Sequence, residues 1–147
     1  MTLMGRAADK PNVVFIFADD QCYETISGFG HPVIQTPNLD RLVKSGVTFT
    51  HAYNMGAWHP AVCLASRAML NTGKFVWQSQ GSVKPMSEEN RLWSNRMQDA
   101  GYDTYFTGKW HVSASAKKAF TYTKNIRAGM PKMGEEGYNR PLGPEAY

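Results

Sequence analysis

Residues 13–20 read VVFIFADD: a wholly apolar run, rich in β-branched and aromatic residues, followed by two aspartates. A continuous run of this kind suits a central strand covered on both faces, as in a parallel sheet. It is far too short to span a membrane. Asp19 and Asp20 would then stand at the carboxyl end of the strand, the edge where open α/β sheets bind ligands. Taken alone, the same residues also fit a surface loop with two solvated acids.

Outward from this run, GFGHPVIQTP (28–37) is a Gly/Pro loop. NLDRLVKSG (38–46) predicts a helix: Leu39, Leu42 and Val43 share a face, Thr36 or Asn38 can cap its start, and Gly46 can stop it. VTFTHAY (47–53) alternates, with Val47, Phe49 and His51 on one side and Thr48 and Thr50 on the other, as a strand does. Strand, helix, strand is the βαβ crossover of a parallel sheet. A loop at 54–63 leads to a short helix from Leu64 or Ser66 to Asn71, closed by Gly73. Residues 75–86 look irregular. Ser87 is placed to cap a helix over EENRLWSNRMQDA, with Glu88 and Glu89 at its positive end, a stripe of Trp93, Met97 and Ala100, and Gly101 at its end. GYDTYFTG (101–108) predicts a further strand with GKWH (108–111) at its carboxyl end.

Beyond Val112 the periodicity dissolves, and the Gly/Pro-rich stretch 127–147 shows neither helical nor strand period. The expectation is an α/β chain holding part of a sheet, mostly parallel strands with helices on both faces and both edges unaccounted for. Residues 1–10 are expected to be a flexible N-terminal segment and 11–147 the folded portion, with 112–147 mostly irregular.

Composition narrows the function classes. With 42% hydrophobic and 19% charged residues over 147 positions, wholesale disorder is excluded as a default. The net charge of +4 is uneven: residues 112–147 hold six basic and three acidic side chains. That tail is too sparse for nucleic-acid binding, and no helix-turn-helix, zinc-finger or RNP-like pattern accompanies it. Cys22 and Cys63 cannot build a disulfide framework, though one bridge between them stays open. The start MTLMGRAADK has no apolar signal core.

Chemistry concentrates at Cys63, which opens CLASR and is followed by AMLNTGK. A lone cysteine before a helix reads first as a small buried hydrophobe or an inert thiol. Ser66 and Arg67, however, place a hydroxyl and a fixed cation one turn away. The helix start adds unpaired N–H groups. Together these make a pocket for a tetrahedral oxyanion, sulfate or phosphate.

CLASR–AML–NTGK resembles the signature of the type I, formylglycine-dependent sulfatases of the alkaline phosphatase superfamily. NVVFIFADD, GHPVIQTPNLDRLVKSGVTFTHAY and GYDTYFTGKWH resemble other family segments, in the family's order, so that the resemblance covers roughly residues 11–112. It implies sulfuric ester hydrolysis of a carbohydrate or aryl sulfate, on a partial alkaline-phosphatase-like sheet.

By this resemblance, Cys63 is the residue that a formylglycine-generating or anaerobic sulfatase-maturing enzyme oxidises to formylglycine. The aldehyde hydrate is then the nucleophile, and its second hydroxyl releases the sulfate. Asp19 and Asp20 are implied as ligands of a divalent cation, usually calcium, which the matured Cys63 also touches. Two hard carboxylates suit such a cation. Arg67 is implied to hold the hydrate and balance charge, Lys109 to grip a sulfate oxygen, and His111 to hydrogen-bond the formylglycine hydroxyl. Preorganised cations at the non-bridging oxygens are what this chemistry requires. Ala65 stands where proline is usual, a variation seen in sulfatases matured by the anaerobic enzyme.

The family's remaining metal ligands, a second lysine and a second histidine have no counterpart in the tail. The expectation is an amino-terminal part of a catalytic domain that does not hydrolyse aryl sulfates by itself. An inactive fragment is the alternative, as is a phosphate or phosphonate monoester hydrolase of the same superfamily. The family setting is commonly periplasmic or secreted; compartment and oligomeric state are left open, and no membrane partner is expected. Among the other residues, His59 and Trp58 are candidates for the substrate entrance, Cys22 and His31 read as structural, and His51 has no assigned role.

Overall fold

The computed structural model describes residues 10–129, together with the short antiparallel strand pair Met133–Gly134 and Gly137–Tyr138. The expected flexible segment lies outside the described residues apart from Lys10, as does the rest of the tail beyond Gly129. The chain divides into two units, Met1–His51 and Ala52–Tyr147.

In the first unit the run at 13–18 is extended chain without a ladder, which corrects the expected strand. A strand is defined by a partner for its N–H and C=O groups, and among the described residues no segment of this unit forms a ladder with it. Val14 and Ile16 are 83% and 79% exposed. The rings of Phe15 and Phe17 lie 5.9 Å apart, as alternate side chains of an extended backbone do. The stretch 47–53 is corrected on the same ground: Val47 and Phe49 are exposed and unladdered. The expected βαβ unit through these two segments is therefore not formed. Asp19 and Asp20 follow extended chain instead of ending a strand.

Two 3-10 turns, Tyr23–Thr25 and Ser27–Phe29, come next, with the Tyr23 and Phe29 rings stacked at 4.3 Å. Helix α1 spans Pro37–Ser45. Proline suits its first turn, where an N–H has no helical partner, and the Gly46 N–H closes it on the Leu42 carbonyl at 3.0 Å. Thr36 occupies the cap position without capping; its hydroxyl donates to Asp40 Oδ1 at 2.8 Å.

Asp40 ties the preceding loop to the helix. It accepts from the Ser27 hydroxyl at 2.7 Å and the Gly28 N–H at 2.7 Å. Gly28 is required for the closeness, because a Cβ there would stand 3.1 Å from Asp40 Oδ1. The Ser27 hydrogen bond, aided by those of Thr36 and Gly28 and by the Lys44 charge, holds the Asp40 carboxyl below its ordinary range. A depressed carboxylate stabilises the fold above its unfolded value and loses that contribution as pH falls through its folded value. Protection of the Gly28 amide from hydrogen exchange is therefore expected to fall in acid, below about pH 4. Asp40→Asn should lower that protection at neutral pH, and the two proteins should converge in acid.

The second unit carries the α/β arrangement. Its elements are α2 (Val62–Thr72), α3 (Val76–Ser79), α4 (Val83–Glu88), α5 (Trp93–Asp99), β1 (Tyr105–Lys109), α6 (Ala116–Ala119) and β2 (Tyr122–Arg127). Helix α2 begins two residues before the expected start and ends at Gly73, which supplies the left-handed φ of 66°. The stretch read as irregular holds α3 and α4. Ser87 caps nothing: it lies inside α4, and Asn90 at φ 53° reverses the chain before α5. Leu92 is the cap position of α5, its N–H bonded to Asn95 Oδ1 at 3.2 Å.

β1 and β2 pair in parallel, joined by the crossover 110–121 that contains α6. The register jumps between Thr107 and Gly108, which face Lys124 and Ile126, so Asn125 is the extra residue of a bulge. Gly108 at φ 100° and Asn125 at φ 50° provide the unusual backbone that the bulge needs. Beyond Val112 the chain thus forms a helix and a strand that no sequence period announces.

The core is built by Leu92, Val83, Met86, Ala68, Ala116, Ala119, Trp110 and Phe120. The Trp110 ring meets Phe106 and Phe120 edge-on at 5.2 and 5.8 Å. The cluster packs α2, α4, α5 and α6 around the carboxyl end of β1. That is the end from which GKWH projects.

Candidate active site

In α2, Cys63 and Arg67 stand four residues apart and so share a face, separated by about 6 Å along the axis. At the end of β1, Lys109 and His111 flank Trp110, about 6–7 Å apart for extended chain. The two spacings match, and the two pairs meet. Cys63 Sγ lies 3.2 Å from His111 Nδ1. One Arg67 terminal nitrogen, Nη1, donates to the Lys109 carbonyl at 2.5 Å. The earlier helix residue meets the later strand residue, so the helix runs against the strand direction here.

Each position has a local cause. On the β1 side Gly108, at φ 100°, breaks the alternation, so Lys109 and Trp110 are both buried although adjacent. Trp110 is the anchor between the two polar residues: its N–H bonds the Arg127 carbonyl at 2.7 Å and its indole N–H the Ala114 carbonyl at 2.6 Å. His111 then takes φ 48°, a conformation uncommon for a residue with a Cβ, which turns the chain out of the strand. Arg67 is only 7% exposed, so its charge faces little water screening and pulls strongly on an anion. Asn71, also buried, donates from its amide to the Arg67 carbonyl at 2.8 Å.

Asp19 and Asp20 belong to the first unit and are exposed there, Asp20 at φ 59°. Adjacent carboxylates offer the hard oxygen donors that calcium or a similar cation takes, so the pair fits such an ion in kind. Among the described residues no cluster of three or more His, Cys, Asp or Glu side chains gathers to hold a metal.

Trp58 packs half-buried against the core, and the exposed His59 accepts the Ala61 N–H at 3.0 Å. His31 Nδ1 accepts the Val33 and Ile34 N–H groups and so shapes its loop, as a structural histidine does. His51 contacts the Thr50 hydroxyl at 3.0 Å. Cys22 is exposed, not packed, and both cysteines are free thiols. Sequence reasoning missed Trp110 as the anchor of the site and Gly129, whose Cα faces the His111 ring closely enough that a Cβ would stand 3.2 Å from it. Gly129 lies in the Gly/Pro-rich tail, where nothing in the sequence marks one glycine above another.

A parallel α/β unit with a thiol-bearing helix set against the end of its strand defines the class. The sulfatase family profile matches residues 11–145, and the chain belongs to the sulfatase family. It is 31% identical over 137 residues to an N-acetylgalactosamine-6-O-sulfatase of Bacteroides thetaiotaomicron, covering 88% of this chain and 26% of that protein. It is 36% identical over 121 residues to human arylsulfatase A, covering 77% and 23%. It is 34% identical over 118 residues to an arylsulfatase of Klebsiella aerogenes, covering 71% and 24%. The chain thus spans about a quarter of the length of these curated relatives. No solved structure matches it. Among the described residues no helix is long and apolar enough to cross a membrane.

Proposed function

We propose that the full-length protein hydrolyses sulfate esters of carbohydrates or aryl alcohols, with Cys63 as the position of its nucleophile. The observation that supports this best is the pairwise meeting of the two motifs: Cys63 with His111, and Arg67 with the strand end at Lys109. The relatives named for sulfated amino sugars and aryl sulfates point to the same substrate class.

Cys63 would be converted to formylglycine by a sulfatase-maturing enzyme, and position 63 would then hold the aldehyde hydrate, whose two hydroxyls would supply a nucleophile and a route for release of sulfate. His111 orients the side chain at position 63 through Nδ1 and can take or give its proton. Arg67 and Lys109 place two buried positive charges where the non-bridging sulfate oxygens gather charge, worth most where water is excluded. Asp19 and Asp20 would hold a divalent cation, usually calcium in this family, which supplies Lewis-acid polarisation of a sulfate oxygen when bound.

The test is peptide mapping across Cys63 in protein coexpressed with a maturing enzyme, alongside hydrolysis of matched aryl sulfate and aryl phosphate esters by the full-length protein. Conversion of Cys63 with preference for the sulfate is the expected result. Preference for the phosphate would move the activity to a monoester phosphohydrolase, and an unconverted thiol would remove the nucleophile from the reading.

A further inference from the structure

His111 sits between two neighbours. On one side Cys63 Sγ lies 3.2 Å from Nδ1. On the other, the backbone of Gly129 approaches so closely that a Cβ there would stand 3.2 Å from Cδ2, 3.3 Å from Nε2 and 3.7 Å from Cγ. Nδ1 is on one edge of the imidazole, and the Cδ2–Nε2 bond forms the other.

The ring has little room to retreat. Its own residue holds φ at 48°, and Trp110 before it is pinned by main-chain and indole hydrogen bonds to Arg127 and Ala114. The same Trp110–Arg127 bond extends the parallel ladder past the end of β1, and Gly129, two residues beyond β2, lies alongside His111. The backbone at Gly129 is outside the left-handed region, so it would accept any L-residue. What requires glycine at this position is therefore the ring opposite it, and not the turn.

We propose that Gly129 is a positioning residue for His111: its bare Cα forms one wall of the slot that presses the imidazole against Cys63. The inference rests on His111 being the working partner of Cys63. A side chain at 129 must displace the ring by a few tenths of an ångström, and the Sγ–Nδ1 contact on the opposite edge shifts with it.

The full-length protein produced without a maturing enzyme retains the thiol, and iodoacetamide labelling followed by peptide mapping reads it. Cys22, exposed and in the other unit, is the internal reference. Four proteins are compared: the natural one, Gly129→Ala, His111→Ala and the double variant. His111→Ala should slow Cys63 labelling relative to Cys22, because the thiol loses the imidazole that contacts it at 3.2 Å. Gly129→Ala should slow it about threefold or more, and should add almost nothing in the His111→Ala background, the non-additivity expected of residues acting through one contact.

A Gly129→Ala protein labelled at the natural rate, while His111→Ala is slow, overturns the role of Gly129 alone. An equal effect of Gly129→Ala in both backgrounds does the same, since the ring would not be the intermediary. A natural rate in His111→Ala overturns the Cys63–His111 partnership and the inference with it. If Gly129→Ala fails to fold, the double variant should recover the fold, because the ring that the new methyl strikes is gone; a double variant that also fails to fold overturns the proposal.

Discussion

Cys63→Ala is expected to abolish sulfate ester hydrolysis by the full-length, matured protein, lowering kcat on the order of 10⁴-fold or more, as loss of a nucleophile does. Folding should be little affected. The side chain is half-buried at the first turn of α2, and its contact to His111 is with one polar atom. Cys63→Ser separates two roles of the converted side chain. A single hydroxyl can attack sulfur once, but it leaves an ester whose release needs water to reach a crowded anion. Rapid mixing with an aryl sulfate should therefore show at most one equivalent of alcohol for Cys63→Ser and none for Cys63→Ala. Steady turnover by either variant would remove Cys63 from the chemistry.

Trp110→Ala is expected to cause the largest loss of stability, about 3–5 kcal/mol, the range for removing a large buried aromatic side chain. Trp110 is 6% exposed and touches both Phe106 and Phe120. It also stands between Lys109 and His111, so its removal should release both from the face of α2. Trp110→Phe retains most of the packing and loses the indole N–H to Ala114 bond, a change worth about 1 kcal/mol. Urea unfolding of the three proteins gives the stability order, and the labelling rate of Cys63 reports the site. A Trp110→Ala protein as stable as the natural one would mean that the aromatic cluster is not the support of the strand end.

The sulfatase family and the chemical character of the site were legible in the sequence, because motif residues are chosen for their own chemistry. CLASR puts a thiol and a guanidinium four residues apart, and four residues in a helix always share a face. GKWH needed only a strand before it, and the aromatic residues and threonines of GYDTYFTG favour one. Gly46 and Gly73 marked helix ends because the termination of a helix is a local event. The strands expected at 13–18 and 47–53 failed for the opposite reason. An apolar run shows that a segment is suited to burial in a sheet, but a ladder exists only where a second segment pairs with it. The same holds in reverse for β2: YTKNIR has no strand period, yet β1 beside it offers the hydrogen bonds.

Residue order alone establishes which side chains carry charge, thiol and imidazole, and that two pairs of them sit at matching spacings. Which pair member meets which is set by the fold. That pairing depends on the direction in which α2 crosses the end of β1, and on Gly108, whose φ of 100° breaks the alternation and turns adjacent residues inward. It depends also on Gly129, close to His111 in space but distant in the chain. Local sequence sets dihedral preference and polarity; contact between distant segments is set by the packing of the whole core, which no single stretch encodes.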